Sequence, residues 1–202
     1  TTFMPVKAGY YQSGPTTEVE CPAGKAGSGG NATCHDCEIG SYQHLSGNTT
    51  CVECPSGFGN KAKGSTACNA VPPGSYSWNG EVRECEAGHY CTGEAANQTA
   101  CDLGSYAKGK GSISCNECVP GMYENNTGST ECKDCSIGQH QDTAGNDTCL
   151  DCGIGKYMSR AGAVNCLDCN PGDFQNLTGA ESCEKCLKDS FTNISGLSSC
   201  YS

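Results

Sequence analysis

The sequence predicts a small disulfide-rich fold, an elongated tandem array of short, irregular β-hairpin modules with a 17-residue period and almost no helix. Three observations predict it: 20 cysteines among 202 residues, a cysteine spacing that recurs without a slip through the C-terminal half, and a shortage of large apolar side chains. Val, Ile, Leu and Phe together number 23, about 11% of the chain, whereas a share below about 20% marks a chain unable to build a hydrophobic core. Such a chain is either disordered or covalently stapled, and the cysteines decide for staples. The net charge of −10 and a pI near 4.7 disfavour electrostatic binding of nucleic acid or anionic lipid. No stretch approaches the roughly 18 apolar residues of a membrane span, so no membrane insertion is expected within this segment. Thr1 does not begin a signal peptide, and the segment reads as mature protein.

The internal repeat sets the elements. From Cys101 onward the cysteines fall at 101, 115, 118, 132, 135, 149, 152, 166, 169, 183, 186 and 200, and Cys34, Cys37, Cys51, Cys54 and Cys68 keep the same register. A glycine follows the first cysteine of each unit by three residues, as at Gly104, Gly121 and Gly138. An aromatic follows by five, as at Tyr42, Tyr106, Tyr123, Tyr157, Phe174 and Phe191. A second glycine follows by ten, as at Gly111, Gly128 and Gly145. The pattern C-x2-G-x-[YF]-x4-G-x3-C predicts a hairpin in which the first glycine permits a bend, the aromatic covers the cystine and the second glycine makes the reversal.

The departures divide the chain into residues 1–70, N-terminal cysteine-rich repeats; 71–100, atypical repeats; and 101–202, regular 17-residue repeats. Val71 stands at a first-cysteine position, because Gly74, Tyr76 and Cys85 keep the spacing, and Val6 stands at another. Cys91 is an extra cysteine in a longer unit. Gly59 and Ala26 replace the aromatic, His140 stands where Tyr or Phe is usual, and Asp189 replaces the first glycine of the last unit.

Two C-x2-C pairs such as Cys34, Cys37, Cys51 and Cys54 have the spacing of a zinc ribbon. Three features favour disulfides over metal. Seven N-x-S/T sequons, at Asn31, Asn48, Asn97, Asn125, Asn146, Asn176 and Asn193, use half of the 14 asparagines; this points to the secretory pathway, where thiols oxidise and N-linked glycans are added. The cysteine count is even. The sequons of the regular units also cluster near the glycine turns, away from the cysteines. Uniform pairing at i,i+17 would give Cys51 two partners, and pairing within C-x2-C would leave the hairpins untied. Pairing at i,i+14 closes each regular unit: Cys37–Cys51, Cys54–Cys68, Cys101–Cys115, Cys118–Cys132, Cys135–Cys149, Cys152–Cys166, Cys169–Cys183 and Cys186–Cys200. Cys21–Cys34 and Cys85–Cys91 complete the set.

The runs "CVPGMYENNTGSTECKDC", "CDLGSYAKGKGSISCNEC" and "CEAGHYC" resemble the ephrin-receptor-like cysteine-rich repeats of extracellular proteins, and the first two are also similar to half-modules of tumour-necrosis-factor-receptor domains. The resemblance implies a disulfide-laddered, secreted or cell-surface rod, and it brings no catalytic residues. His35, His44, His89 and His140 are scattered among units without partners at metal or nucleophile spacing, and "DTAGND" lacks the ligand order of an EF-hand. The expectation is therefore no enzyme, no metal and no cofactor. The leading functional expectation is a structural glycoprotein that self-associates into a fibre, filament or coat, with "TTFMPV", the terminal "CYS" and Trp78 as contact candidates. The alternative is a receptor or adhesin ectodomain that binds a protein ligand through the sequon-free stretch 49–96.

Overall fold

The computed structural model describes residues 5–30 and 33–202. Among them all 22 strands lie in two-stranded sheets, and no residue is helical. The module that starts at Cys135, taken as position 0, shows how the repeat builds its hairpin. Gln139 N–H donates to Ser136 O at 3.0 Å, closing a four-residue turn with Gly138 in third place at φ +80°. That is the position where a type II turn requires φ > 0, hence glycine. Pro73, Pro120 and Pro171 take the second place of the equivalent turns, where the ring presets φ. Gln139 and His140 then pair antiparallel with Asp151 and Leu150, and Cys152 N–H closes on Gly138 O at 2.8 Å.

Every cysteine is bonded. The bonds are Cys21–Cys34, Cys37–Cys51, Cys54–Cys68, Cys85–Cys91, Cys101–Cys115, Cys118–Cys132, Cys135–Cys149, Cys152–Cys166, Cys169–Cys183 and Cys186–Cys200. The first cysteine of most modules is fully buried and the second is half-buried, so position 0 forms the inner column. Val71 and Val6 take this inner place where the cysteine is missing, at 2% and 9% exposure. Their two modules have longer ladders than the rest. Tyr10–Gly14 pairs with Thr17–Glu20, and Ser75–Trp78 with Glu81–Glu84, while every other described strand has two residues. Added backbone pairing thus stands in for the absent crosslink. In the second of these hairpins Asn79 and Gly80, at φ 50° and 75°, form the Asn-Gly turn with two positive φ values that matches strand twist.

Position +6, directly after the aromatic, is a second buried column. It holds Gln43, Asn60, Ser77, Ala107, Glu124, Gln141, Met158, Gln175 and Thr192, all under 9% exposed. The polar members are hydrogen-bonded, as buried polar groups must be: the glutamines and Glu124 within their own loops, and Asn60, Ser77 and Thr192 to the preceding module, at Ser41 O, Phe58 O and Gly172 N–H. Gln141 donates from Nε2 to Thr148 O at 2.7 Å and accepts from Thr143 N–H at 3.1 Å. Gln43 and Gln175 repeat both contacts. Cys91 occupies this same +6 place, which is why its bond to Cys85 spans six residues instead of fourteen.

The described residues form two compact units. One comprises the residues up to Glu86 with Tyr90–Thr99 and Lys110–Ile113; the other comprises Ala87–His89, Ala100–Gly109 and Ser114–Ser202. Within the second unit, successive modules are joined by backbone hydrogen bonds. Gly138 N–H donates to Met158 O at 2.9 Å, Gln141 N–H to Ala163 O at 3.1 Å, and Gly162 N–H to Cys135 O at 2.9 Å. Gly121, Glu124 and Gly145 make the same three bonds one module earlier. Gly24, Gln43 and Gly64 show the equivalent joints in the first unit.

The glycine at +3 also has a partner two modules along. A Cβ on Gly104, Gly121, Gly138 or Gly155 would fall far inside the contact distance of the carbonyl oxygen of Gly145, Gly162, Gly179 or Gly196, respectively. In the first unit Gly9 meets Gly47 in this way, and Gly24 meets Gly64. Gly172 has nothing within 4 Å of its Cβ position. Asp189 keeps a left-handed backbone, φ 68°, at the corresponding place of the last module.

Candidate interaction surface

The inner columns are buried, whereas most residues of the loops, positions +7 to +13, are exposed or half-buried. The aromatic at +5 lies across the ladder from position +15: Tyr42 opposite Val52, His140 opposite Leu150 and Tyr157 opposite Leu167. The rings are half-buried, and Val52, Leu150 and Leu167 are about half exposed. Sequence spacing alone did not reveal these cross-strand pairs, because +5 and +15 become neighbours only once the hairpin register is set. Positions +4 and +16 form a further cross-strand row. Lys156 pairs with Asp168, as Lys25 does with Asp36 in the Cys21 module, which is one residue shorter, while in the module after Lys156 the charges exchange places, Asp173 pairing with Lys185 at 3.4 Å. Such exposed pairs contribute at most about 1 kcal/mol each.

The sequons fall on two loop positions of the regular modules. Asn125, Asn176 and Asn193 sit at +7 and are exposed. Asn48 and Asn146 sit at +11, half-buried, and donate from Nδ2 to the carbonyls of Leu45 and Thr143 at 3.4 and 3.2 Å. Asn97 is exposed in the atypical stretch, and Asn31 lies outside the described residues.

Glu124 is the charged member of the +6 column, 2% exposed. Its Oε1 accepts from Asn126 N–H at 2.9 Å and from Lys133 Nζ at 3.0 Å. Burial pushes the carboxyl up, but the hydrogen bonds from Lys133 and Asn126 outweigh it and hold the carboxyl below its ordinary value. A depressed folded pKa contributes stability that is complete above the unfolded carboxylate pKa, about 4.3, and lost as pH falls through the folded value. Glu124→Gln is expected to remove this acid-sensitive part and to keep the module folded, since Gln43, Gln141 and Gln175 fill the same place. Amide exchange of residues 118–132 between about pH 2 and 6 measures it; an unchanged acid profile in the variant would contradict the assignment.

Trp78 ends a strand of the long hairpin at 48% exposure, with the Arg83 guanidinium 5.9 Å from its ring centroid and Arg83 bonded to Glu81 at 2.7 Å. It is the sole tryptophan of the chain. Of the histidines, His35 and His44 are exposed and His89 and His140 half-buried; His140 Nδ1 lies 3.3 Å from Val164 O. Among the described residues no group of three His, Cys, Asp or Glu is placed to hold a metal ion, and every thiol is already bonded to another. A disulfide-rich domain of this kind needs no cofactor. No helix among the described residues is long and apolar enough to cross a membrane.

Tandem disulfide hairpins with a bonded inner column and an outward loop face define a cysteine-rich repeat array of the extracellular type, in keeping with the oxidising compartment that its ten bonds require. The family described as "tyrosine-protein kinase ephrin type A/B receptor-like" matches residues 24–70, 121–165 and 155–201, well over half of the chain, and the chain belongs to it. No curated protein matches the sequence. The family is a receptor-like repeat, a module type that is typically not catalytic, and it places the chain outside the cell or at its surface. It lends no support to a fibre or coat subunit.

Proposed function

We propose that this chain is the ligand-binding part of a receptor-type ectodomain whose ligand is a protein. The observation that carries the proposal is the match to receptor-like repeats in three segments. The exposed hairpin around Trp78 supports it, because tryptophan and arginine are the side chains most enriched among residues that dominate protein interfaces. The hairpin lies in the stretch 49–96, which itself carries no sequon. The test is saturable binding of the fluorescently labelled, disulfide-intact chain to cells of the source organism, competed by unlabelled chain. Trp78→Ala is expected to weaken binding about thirtyfold, the loss typical of a dominant interface residue. Binding that neither saturates nor changes in the variant would rule out this site, and absence of any saturable binding would rule out the receptor reading.

The seven sequons are proposed to carry N-linked glycans. Mass spectrometry of non-reduced glycopeptides from a secretory host is expected to find sugar at the exposed Asn97, Asn125, Asn176 and Asn193. A chain bare at all seven would remove glycosylation from the account.

A further inference from the structure

We infer a second binding site in the second compact unit: a groove between the modules that start at Cys101 and Cys118, built to receive one large apolar side chain of a protein partner flanked by an acidic and a basic residue. The groove has a volume of about 210 Å³ and is lined by Tyr106, Lys108, Val119, Met122, Glu131 and Cys132. Tyr106, Val119 and Met122 form its apolar part, and Val119 is 58% exposed there with no residue covering it. Lys108 and Glu131 are of opposite charge, and among the described residues neither side chain has an ion-pair or hydrogen-bonding partner. Lys108 and Glu131 thus set one unmatched charge of each sign beside an apolar surface, an arrangement that opposite charges on a partner would complement.

The comparison among modules shows that this lining is not a property of the repeat. The positions of Val119 and Met122 hold Ser136 and Gln139 in the next module, Gly153 and Lys156 in the one after, and Asn170 and Asp173 beyond that. Pro55 and Phe58 keep the joint after Cys54 apolar, but His44 and Ala67 stand there in place of Lys108 and Glu131. At the place of Lys108, the modules of Cys118 and Cys169 carry the sequon residues Asn125 and Asn176. The Cys101 module, with lysine there, leaves its groove without an attached glycan of its own. Apolar lining, opposed charges and freedom from a rim sequon occur together at this joint. That combination fits an inserted leucine- or phenylalanine-sized side chain whose neighbours place a carboxylate against Lys108 and a cation against Glu131.

The groove rests on the receptor reading only in naming a protein as the occupant, and the two are tested apart. The chain, with ¹³C-labelled methionine methyls, is titrated with the peptide acetyl-Gly-Asp-Phe-Lys-Gly-amide. The Met122 methyl is expected to shift saturably, while that of Met158, buried in the inner column, stays in place and reports an intact fold. Replacing the peptide's phenylalanine with serine should abolish the shift. Val119→Ser and Lys108→Asp, residues that later modules carry at these places as Ser136 and Asp142, should each weaken binding about tenfold. A Met122 signal that does not saturate, or that responds equally to the serine peptide, overturns the groove. If the peptide fails while cell-surface binding persists, the groove alone is rejected; if it binds while no protein ligand is found, the receptor reading falls and the groove stands.

Discussion

Replacing Gly138 with alanine is expected to destabilise its part of the array by about 3–5 kcal/mol, whereas the same replacement at Gly172 should cost about 1–2 kcal/mol. Both glycines occupy the +3 position, and both have positive φ, 80° and 92°. The intrinsic penalty of a left-handed alanine is therefore common to the two. What differs is the neighbour. A Cβ on Gly138 collides with the backbone carbonyl of Gly179, which cannot rotate away, while a Cβ on Gly172 meets nothing within 4 Å. Overpacking against backbone adds about 1–3 kcal/mol or more to the conformational cost. Hydrogen exchange measured amide by amide reads the difference locally, which suits a repeat array better than a single global midpoint. Gly162 N–H and Cys152 N–H, which bond to Cys135 O and Gly138 O, are expected to lose protection by more than about a hundredfold in Gly138→Ala. Equal losses in the two variants would mean that the turn, and not the contact two modules along, sets the need for glycine.

Full reduction is expected to unfold the chain, and chelation is expected to leave it folded. Each crosslinked loop of about 15 residues contributes on the order of 3 kcal/mol in the chain-entropy model, though the contributions do not add simply. The inner column offers little to replace them. Its fully buried side chains are nearly all cystine sulfur, and Val71 is the one large aliphatic among those under about 2% exposed in the described residues. Amide chemical-shift dispersion in tris(carboxyethyl)phosphine should collapse to that of an unfolded chain, while ethylenediaminetetraacetate should leave the spectrum unchanged. The reverse result would require cysteines bound to metal instead of to one another. Partial reduction should first affect modules with few cross-module bonds, and the modules of Val6 and Val71, held by four-pair ladders, should change least directly.

Much of the hairpin was legible in the sequence because its requirements are chemically exclusive. Only cysteine crosslinks, and glycine is the residue that enters a positive-φ turn without strain, so positions 0, +3, +10 and +14 recur in recognisable form. The family likeness followed from the same residues, in "CVPGMYENNTGSTECKDC" above all. Position +6 escaped notice because its requirement is only burial with internal satisfaction. Gln, Asn, Ser, Glu, Thr, Ala and Met all meet it, so no letter repeats. Cys91 could have disclosed it, since an inner cysteine marks an inner column, but that follows only when the short Cys85–Cys91 bond is set on the register of the other modules.

By itself the sequence determined the class of object: covalently tied hairpins, poor in aliphatic side chains, of an oxidising compartment. Spacing along the chain carries that information, because each crosslink and each turn is closed within one module. Tertiary structure alone decided what the outer face presents. The contact of Gly138 with Gly179, the pairing of Glu124 with Lys133 and the meeting of Tyr106, Val119 and Met122 around one groove depend on how separate residues are brought together. Backbone hydrogen bonds between successive modules set that arrangement, and they use groups that every residue shares, so they leave no mark of their own in the order of side chains.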